Sequence, residues 1–207
     1  MIAIIDYGMG NLRSVQKGFE AVGAEAIITN DSKKILSAKS VVLPGVGAFK
    51  ECMANLEKLD LIETVCQSAK SGKPFLGICL GLQLLFNQAE EFGCVDGLGI
   101  LPGKVVGFKN ARSDYGEPLK IPHMGWNTVR VFPGNPLFDS VADESYFYFV
   151  HSYYVVPQDP AIVATTTCYG ADFTSGVHHE NIHAFQFHPE KSQRLGLTIL
   201  KNFSNLY

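Results

Sequence analysis

Residues 77–81, Gly-Ile-Cys-Leu-Gly, place a cysteine between two glycines where two hydrophobic patterns meet. The short apolar run of residues 73–76 precedes them, and residues 82–86 follow with helical spacing. This order predicts a strand, a sharp turn and a helix. A nucleophile at such a turn adopts a strained backbone conformation that requires small neighbours, and the helix N-terminus favours a thiolate. Cys79 is therefore a candidate nucleophile, although a buried structural cysteine would explain the same residues.

The overall composition is that of a globular protein without a strong charge bias. The chain has 207 residues, of which 46% are hydrophobic and 18% charged, and its net charge is −3. Without a basic tract there is no electrostatic argument for binding to nucleic acid or to an anionic membrane. The sequence shows neither a signal peptide nor an apolar stretch that could span a bilayer. We expect one domain over residues 1–207 and a soluble, cytoplasmic protein.

The five cysteines are widely spaced, odd in number and include no Cys-x-x-Cys pair. Disulfide frameworks and zinc sites both depend on more regular cysteine spacing. The cysteines therefore predict neither of these.

The first half of the chain alternates short apolar strands with amphipathic helical segments. The predicted strands comprise residues 2–6, 26–29 and 40–43, and the helical patterns comprise residues 11–22 and 53–65. Strands that alternate with helices indicate a parallel sheet with right-handed crossovers.

The second half has a different character. Residues 103–176 are rich in Val, Thr, Tyr and Phe with frequent Gly and Pro, which favours antiparallel strands and loops. Residues 109–119 are polar and predict an exposed loop. A strand over residues 182–187 and a helix over residues 192–203 close the chain. The predicted fold class is α/β, with a central, mostly parallel sheet flanked by helices and an additional antiparallel strand region in the second half.

A general base for the cysteine is predicted at the end of the last apolar strand. Residues 185–190 read Phe-Gln-Phe-His-Pro-Glu. Residues two apart on an extended chain project to the same side, and we expect Pro189 to keep this backbone extended. Glu190 would then hold His188 in the tautomer that removes the thiol proton and later returns it. A surface loop that contains a His and a Glu is the alternative.

The other five histidines are weaker candidates for the base. His178, His179 and His183 lie near polar residues, and we expect them to be solvated. His123 and His151 lie in aromatic, glycine-containing surroundings, where a structural hydrogen bond is the expected role.

An oxyanion hole is the remaining requirement of an elbow enzyme. One donor is the N–H that follows the nucleophile, here that of Leu80, and the second comes from a loop after another strand. Residues 44–47, Pro-Gly-Val-Gly, follow the third predicted strand and assign this role to Gly45 and Val46. An ordinary β-turn is the alternative.

Taken together, these motifs carry a resemblance to a known family. Residues 44–47, 77–83 and 187–191 occur in the order seen in class I glutamine amidotransferases, which the chain resembles along nearly its whole length. Residues 6–11, 122–127 and 149–153 are similar to one branch, the glutaminase subunits of imidazole glycerol phosphate synthase in histidine biosynthesis. The resemblance weakens over residues 91–95 and 109–119.

The resemblance implies that Cys79 hydrolyses glutamine to glutamate and ammonia through a γ-glutamyl thioester. It makes His188 the acid/base and Glu190 its orienting partner, with no metal or organic cofactor. The implied substrate contacts are Gly47, Gln83, Ser152 and Tyr153.

The resemblance also implies a partner for the chain. Ammonia would pass to a separate (β/α)8-barrel cyclase, which makes imidazole glycerol phosphate and AICAR, in a heterodimer. The implied partner-facing residues are Asn11, Tyr148 and Lys191.

Three other functions remain open at this point. The chain could serve another synthase of the same class, in pyridoxal phosphate synthesis or a surface-sugar pathway. It could be a stand-alone γ-glutamyl hydrolase or peptidase. A non-enzymatic binding module is a further alternative, although it would have no reason to keep a cysteine, a histidine and a glutamate together.

Overall fold

The computed structural model describes residues 1–91, 93–108, 112 and 117–206, and these form thirteen strands and six α-helices. The strands are β1 (Ile2–Ile5), β2 (Ala26–Thr29), β3 (Ser40–Gly45), β4 (Phe75–Cys79), β5 (Phe86–Ala89), β6 (Val95–Asp96), β7 (Leu101–Gly107), β8 (His123–Val131), β9 (Ser145–His151), β10 (Tyr153–Pro157), β11 (Val163–Cys168), β12 (Asp172–His179) and β13 (Ile182–Phe185). The helices are α1 (Leu12–Ala21), α2 (Ser32–Ser37), α3 (Phe49–Lys58), α4 (Ile62–Lys70), α5 (Leu80–Leu84) and α6 (Gln193–Ser204). Short 3₁₀ turns lie at Pro136–Phe138, Pro160–Ile162 and Pro189–Lys191.

The centre of the molecule is a parallel sheet with the strand order β2-β1-β3-β4-β13. Its strands are short and almost continuously apolar, as expected for strands that helices cover on both faces. The carboxyl ends of parallel strands meet at one edge of a sheet, where α/β proteins place their ligands. The ends of β3, β4 and β13 therefore form the floor of a site.

The sheet continues beyond β13 in the order β12-β10-β7-β5-β6, and these pairings are antiparallel except that of β7 with β5, which is parallel. A second branch leaves β12 through β11 and β8 and ends in β9, which pairs with β8 along almost its whole length. The predicted fold class is therefore confirmed, including the antiparallel region in the second half. Most of the predicted loop at 109–119 lies outside the described residues.

Two apolar layers cover the two faces of the sheet. Helices α2 to α5 contribute one layer, and α1 and α6 contribute the other, with Phe19 and Phe203 packed at a centroid distance of 6.0 Å. Helix α1 forms because Asn11 caps its first turn and Val15 and Phe19 fall on one buried face. No helix in the described part of the chain is long and apolar enough to cross a membrane.

Several predicted boundaries differ from the observed ones. The helical pattern of residues 53–65 is divided between α3 and α4, because Asp60 takes a left-handed conformation with φ 55°. Phe86 begins strand β5 and pairs with Leu101, so tertiary pairing overrides the helical spacing around it. Strand β3 continues through Gly45, and strand β13 ends at Phe185 rather than at residue 187.

The expectation that His183 is solvated is wrong. This side chain lies in β13, is 2% exposed and has its Nδ1 atom 3.1 Å from Asn135 Oδ1. Burial lowers the pKa of His183 to about 3, so the ring is neutral at neutral pH. The polar residues near His183 in the sequence could not reveal that the distant Asn135 would pair with its ring.

Candidate active site

Cys79 occupies the elbow that the sequence predicts. It ends β4 and immediately precedes α5, with φ 54° and ψ −109°, a strained conformation for a residue with a side chain. The flanking glycines are required by space, because a Cβ atom at Gly77 would lie 2.9 Å from that of Ala184. A Cβ atom at Gly81 would overlap the Leu43 carbonyl oxygen. The strain is thus imposed by close packing of β4 and α5 against neighbouring strands.

His188 and Glu190 form the predicted pair. The Nδ1–H of His188 donates to Glu190 Oε1 at 2.8 Å, and both side chains are almost fully buried. The expectation of extended backbone through Pro189 is wrong, because Pro189–Lys191 is a 3₁₀ turn. The turn brings the Glu190 carboxylate back to the His188 ring. The His188 backbone N–H donates to the Tyr148 carbonyl at 2.9 Å.

The pKa of His188 is raised by the groups that surround its ring. Burial alone would lower this pKa, but the neighbouring Cys79 sulfur and the Glu190 carboxylate together raise it to about 10. His188 Nε2 is buried and makes no hydrogen bond to any of the described residues. The ring is therefore positively charged beside Cys79, with Nε2 available for proton transfer.

A cavity of about 240 Å³ opens over Cys79 and His188. The predicted substrate contacts in its wall are Gly47, Gln83, Ser152 and Tyr153. Val46 and Leu80 of the predicted oxyanion group also line it, whereas Gly45 lies behind them as the register partner of Cys79. The structure therefore brings together residues from four separate segments of the sequence.

The segment that contains Gly45 and Val46 is held by two side chains that the sequence analysis missed. The Tyr7 hydroxyl donates to the Pro44 carbonyl at 2.7 Å, and the Cys52 thiol donates to the Val46 carbonyl at 3.5 Å. Burial raises the pKa of Tyr7 well above its usual value and that of Cys52 to about 11. Both groups are neutral donors at neutral pH, so they fix the path of this loop without adding charge.

Gln83 connects the wall of the cavity to the sheet. Its Nε2 donates to the Tyr153 carbonyl and to Gln186 Oε1, both at 3.0 Å. These two contacts use both amide hydrogens and leave Oε1 as the atom that can contact a substrate. Gln186 in turn places its Nε2 at 3.6 Å from Cys79 Sγ.

Two buried histidines support the Tyr153 side of the cavity. His151 Nδ1 lies 2.8 Å from the Tyr153 carbonyl, and His123 Nδ1 lies 2.9 Å from His151 Nε2. Burial lowers the pKa of His151 to about 3 and that of His123 to about 4. Because a carbonyl only accepts, the Nδ1 atom of each neutral ring must carry the proton. The predicted structural hydrogen bonds of these histidines are present.

Glu91 is a further residue that sequence reasoning missed. It is the only acidic side chain among the described residues that line the cavity. Its Oε2 accepts the Phe49 backbone N–H at 2.5 Å, which fixes the carboxylate in the wall. Its charge was not a usable signal, because nothing local distinguishes it from the adjacent Glu90. No group of three metal-ligating side chains occurs in the described part of the chain.

The residues predicted to face a partner lie on the surface. Asn11 and Lys191 are exposed and Tyr148 is half-buried, with Lys191 Nζ 5.7 Å from the Tyr148 ring centroid. Trp126 packs edge-on against Tyr148 with a centroid distance of 6.1 Å and is itself 46% exposed. Large apolar side chains on the same strand pair are also exposed, among them Met124 and Tyr146.

An α/β sheet with a cysteine at a strained elbow, beside a buried His–Glu pair, defines the class of cysteine-dependent amide hydrolases. The family model for class-I glutamine amidotransferases matches residues 3–205, and the chain belongs to this family.

Full-length relatives agree with this assignment, and solved structures share the fold. The chain is 53% identical over 205 residues to imidazole glycerol phosphate synthase subunit HisH of Geobacter sulfurreducens, covering 99% of this chain and 98% of the relative. It is 54% identical over 206 residues to the subunit of the same name from Syntrophotalea carbinolica, covering 100% of both. The fold matches PurLQS of Thermotoga maritima with a TM-score of 0.71 at 18% identity, covering 98% of this chain and 94% of that one. A crystal structure of a glutamine amidotransferase gives a TM-score of 0.72 at 16% identity, covering 95% of each chain.

Proposed function

We propose that the chain is the glutaminase subunit of an imidazole glycerol phosphate synthase, which supplies ammonia for histidine biosynthesis. The observation that carries the chemistry is the elbow cysteine beside the buried, positively charged His188. The pathway assignment is supported by relatives about half identical over their full length that are named as that subunit.

The first half of the reaction forms a thioester. The Cys79 thiolate attacks the side-chain amide carbon of glutamine, and negative charge develops on the amide oxygen. Backbone N–H groups of Val46 and Leu80 stabilise that oxygen. His188 Nε2 gives its proton to the amide nitrogen, the C–N bond breaks, and ammonia leaves.

The second half releases glutamate. His188, now neutral, takes a proton from a water molecule that attacks the thioester carbon, and the C–S bond breaks to restore the Cys79 thiolate. Glu190 keeps Nδ1 protonated throughout, so Nε2 is the atom that exchanges protons. No metal ion or organic cofactor takes part in these steps.

The wall of the cavity supplies the recognition of glutamine. Glu91 attracts the α-ammonium group of a free amino acid. Gln83 Oε1 and the backbone of Gly47, Ser152 and Tyr153 supply the remaining polar contacts. The attraction to Glu91 requires a free α-amino group, so it disfavours glutamine residues inside a peptide, whereas γ-glutamyl compounds would keep it.

The partner in this proposal is a (β/α)8-barrel cyclase bound in a cytoplasmic heterodimer. The exposed surface around Trp126, Tyr148 and Lys191, with Asn11, supports a partner interface, since exposed aromatic side chains are enriched at such surfaces. The whole chain, residues 1–207, would act as one amidotransferase domain.

Co-purification with the candidate cyclase followed by a glutaminase assay tests this proposal. We expect glutamate release that depends on Cys79, and glutamine-dependent formation of imidazole glycerol phosphate and AICAR by the complex. Glutamate release without that synthesis, together with activation by a different synthase, would assign the chain to another pathway of the same class.

A further inference from the structure

Gln186 is completely buried beside the nucleophile, and the mechanism given above does not use it. Its position is fixed by sheet register. Phe185 of β13 pairs with Ile78 of β4, so the residues that follow them, Gln186 and Cys79, are neighbours. The Gln186 backbone N–H donates to the Ser175 carbonyl at 2.8 Å. A buried amide requires hydrogen-bond partners, and here one of them is Cys79.

The direction of the Gln186 amide follows from its neighbours. The Tyr153 carbonyl can only accept, so the nitrogen of the Gln83 amide must face it. The second hydrogen on that nitrogen requires an acceptor, and Gln186 Oε1 lies 3.0 Å away. With its oxygen directed to Gln83, Gln186 turns its nitrogen toward Cys79 Sγ, at 3.6 Å. The hydrogen-bond network thus settles which end of the amide meets sulfur.

The two neutral contacts of the sulfur favour different protonation states. The Val150 carbonyl lies 3.9 Å from Cys79 Sγ and can only accept, so it favours the protonated thiol. The Gln186 N–H group can only donate, so it favours the thiolate. Hydrogen bonds to charged groups are stronger than those between neutral groups, which makes the second contact dominant when sulfur is ionised.

We propose that Gln186 is a catalytic residue that stabilises the Cys79 thiolate by an N–H···S hydrogen bond, with Gln83 holding its amide in the donating orientation. The thiolate exists at two points of the reaction, before attack on the substrate and again when sulfur leaves the thioester. Gln186 therefore acts in both half-reactions. The hydrogen bond itself belongs to the free enzyme. Only its expected effect on turnover rests on the proposed function.

The pH dependence of Cys79 alkylation by iodoacetamide tests the proposal directly, since only the thiolate reacts. We expect Gln186→Met to raise the midpoint of the profile by about one to two pH units, which slows alkylation near neutral pH roughly tenfold to hundredfold. The rate at high pH should stay the same or rise, because a more basic thiolate is a better nucleophile. Gln186→Glu keeps the acceptor for Gln83 but removes both N–H groups, and it should raise the midpoint at least as far.

Other titratable groups near the sulfur would not mimic this result. The titratable groups that interact electrostatically with Cys79 are His188, Tyr7 and Cys52. Raised pKa values keep Tyr7 and Cys52 neutral up to pH 9, and a lowered pKa keeps His151 neutral above pH 5. His188 is present in every variant, so a difference between the profiles reports the Gln186 contact.

Controls separate this effect from a general loss of structure. Gln16 lies in helix α1, does not line the cavity, and donates from its Nε2 to the Ala26 carbonyl at 2.9 Å. Gln16→Met should therefore leave the Cys79 profile unchanged. Cys66 of α4, analysed in the same digest by mass spectrometry, provides an internal reference. An unchanged midpoint in folded Gln186→Met and Gln186→Glu would overturn the proposal.

A measurement on the unsubstituted chain remains informative if both variants fail to fold. The side-chain amide resonances of Gln186 should shift with pH at the midpoint of Cys79 alkylation, and Cys79→Ala should abolish that shift. Resonances that do not respond to pH would overturn the proposal. Absence of glutamate release by the wild-type complex would instead contradict the proposed function and leave this hydrogen bond intact.

Discussion

Gly45 and Cys79 are register partners at the ends of neighbouring parallel strands, β3 and β4. This pairing explains how the proposed oxyanion donors, on a loop far from Cys79 in the sequence, come to lie beside it. The register of the two strands sets the distance between Gly45 and Cys79. The Tyr7 hydroxyl and Leu80 lie so close behind Gly45 that no side chain fits at this position. The candidate active site is therefore a consequence of strand order and of glycine at one crowded position.

Cys79→Ala should abolish glutamine hydrolysis, because no other thiol lines the cavity among the described residues. Folding and ammonia-dependent synthesis with the partner should persist. Glutamate release and product formation from ammonium salt measure the two activities, and Cys66→Ala provides a matched cysteine control. Hydrolysis at the wild-type rate by Cys79→Ala would contradict the assignment.

Cys79→Gly offers a separate test of the elbow. Glycine accepts φ 54° without steric cost, whereas alanine keeps the strain, so Cys79→Gly should be more stable than Cys79→Ala by about 1 kcal/mol. Chemical denaturation measures the difference. A Cys79→Gly variant less stable than Cys79→Ala would mean that the elbow stores no strain.

Losses at His188 and Glu190 should not multiply, because the two residues act as a unit. His188→Ala removes the acid/base and should lower kcat by ~10²–10⁴-fold. Glu190→Gln leaves the ring in place but poorly oriented and should cost less. Steady-state kinetics of the double variant provides the measurement. A double variant whose loss equals the product of the single losses would argue against the pair.

Glu91→Gln should raise KM for glutamine roughly tenfold or more with a smaller change in kcat, because the carboxylate lies in the wall rather than at the reacting atoms. The nearby Glu90→Gln substitution is a matched control, since Glu90 pairs with Lys104 at 3.1 Å outside the cavity wall. Assays over a range of glutamine concentrations separate the two constants. A larger fall in kcat than rise in KM would place Glu91 in the chemistry itself.

The elbow is predictable from the sequence because its determinants are local, whereas its supporting contacts depend on strand order. Two glycines, an apolar strand and a helical pattern lie within a dozen residues of Cys79. Gln186 and Tyr7 became recognisable only once β13 and β1 were placed beside the strands that carry Cys79 and Pro44. The same reasoning explains why the pairing of Phe86 with β7 was missed.

Acid should destabilise the chain through its buried histidines, and His183 gives the clearest case. Its pKa is about 3 when folded and about 6.5 when unfolded, so below pH 6.5 the unfolded chain binds more protons and stability falls. At pH 5 this group alone should cost about 2 kcal/mol relative to pH 7.5. Denaturation of His183→Gln across that range should show a shallower pH dependence.

The exposed His179 on the adjacent strand provides the control for this prediction. His179→Gln makes the same substitution at an exposed position and measures how far the substitution itself changes the pH dependence of stability. Equal slopes for wild type and His183→Gln would show that His183 does not titrate differently on folding.

The isolated subunit should be a poor glutaminase that the partner activates, because hydrolysis without an acceptor wastes glutamine. The proposed switch is the Gly45–Val46 peptide, whose N–H either faces the oxyanion or turns away. Loss of one such donor costs ~10²–10³-fold in rate, which is large enough for a switch. Docking at Asn11, Tyr148 and Lys191 would bias the flip as a coupling free energy between two sites. Glutamate release by the subunit alone, with partner, and with partner plus cyclase ligand should rise in that order.

Gly47→Ala tests the moving element of this switch. Gly47 has φ +92°, and a Cβ atom there would lie 2.9 Å from Met9 Cε, so alanine restricts the loop beside the proposed flip. Stimulation by the partner should fall sharply. Gly23→Ala imposes similar strain at φ +80° with no neighbour within 4 Å, and should leave stimulation unchanged. Equal rates of glutamate release by the subunit alone, with partner, and with partner plus cyclase ligand would contradict the switch. Full stimulation of Gly47→Ala would place the switch elsewhere in the site.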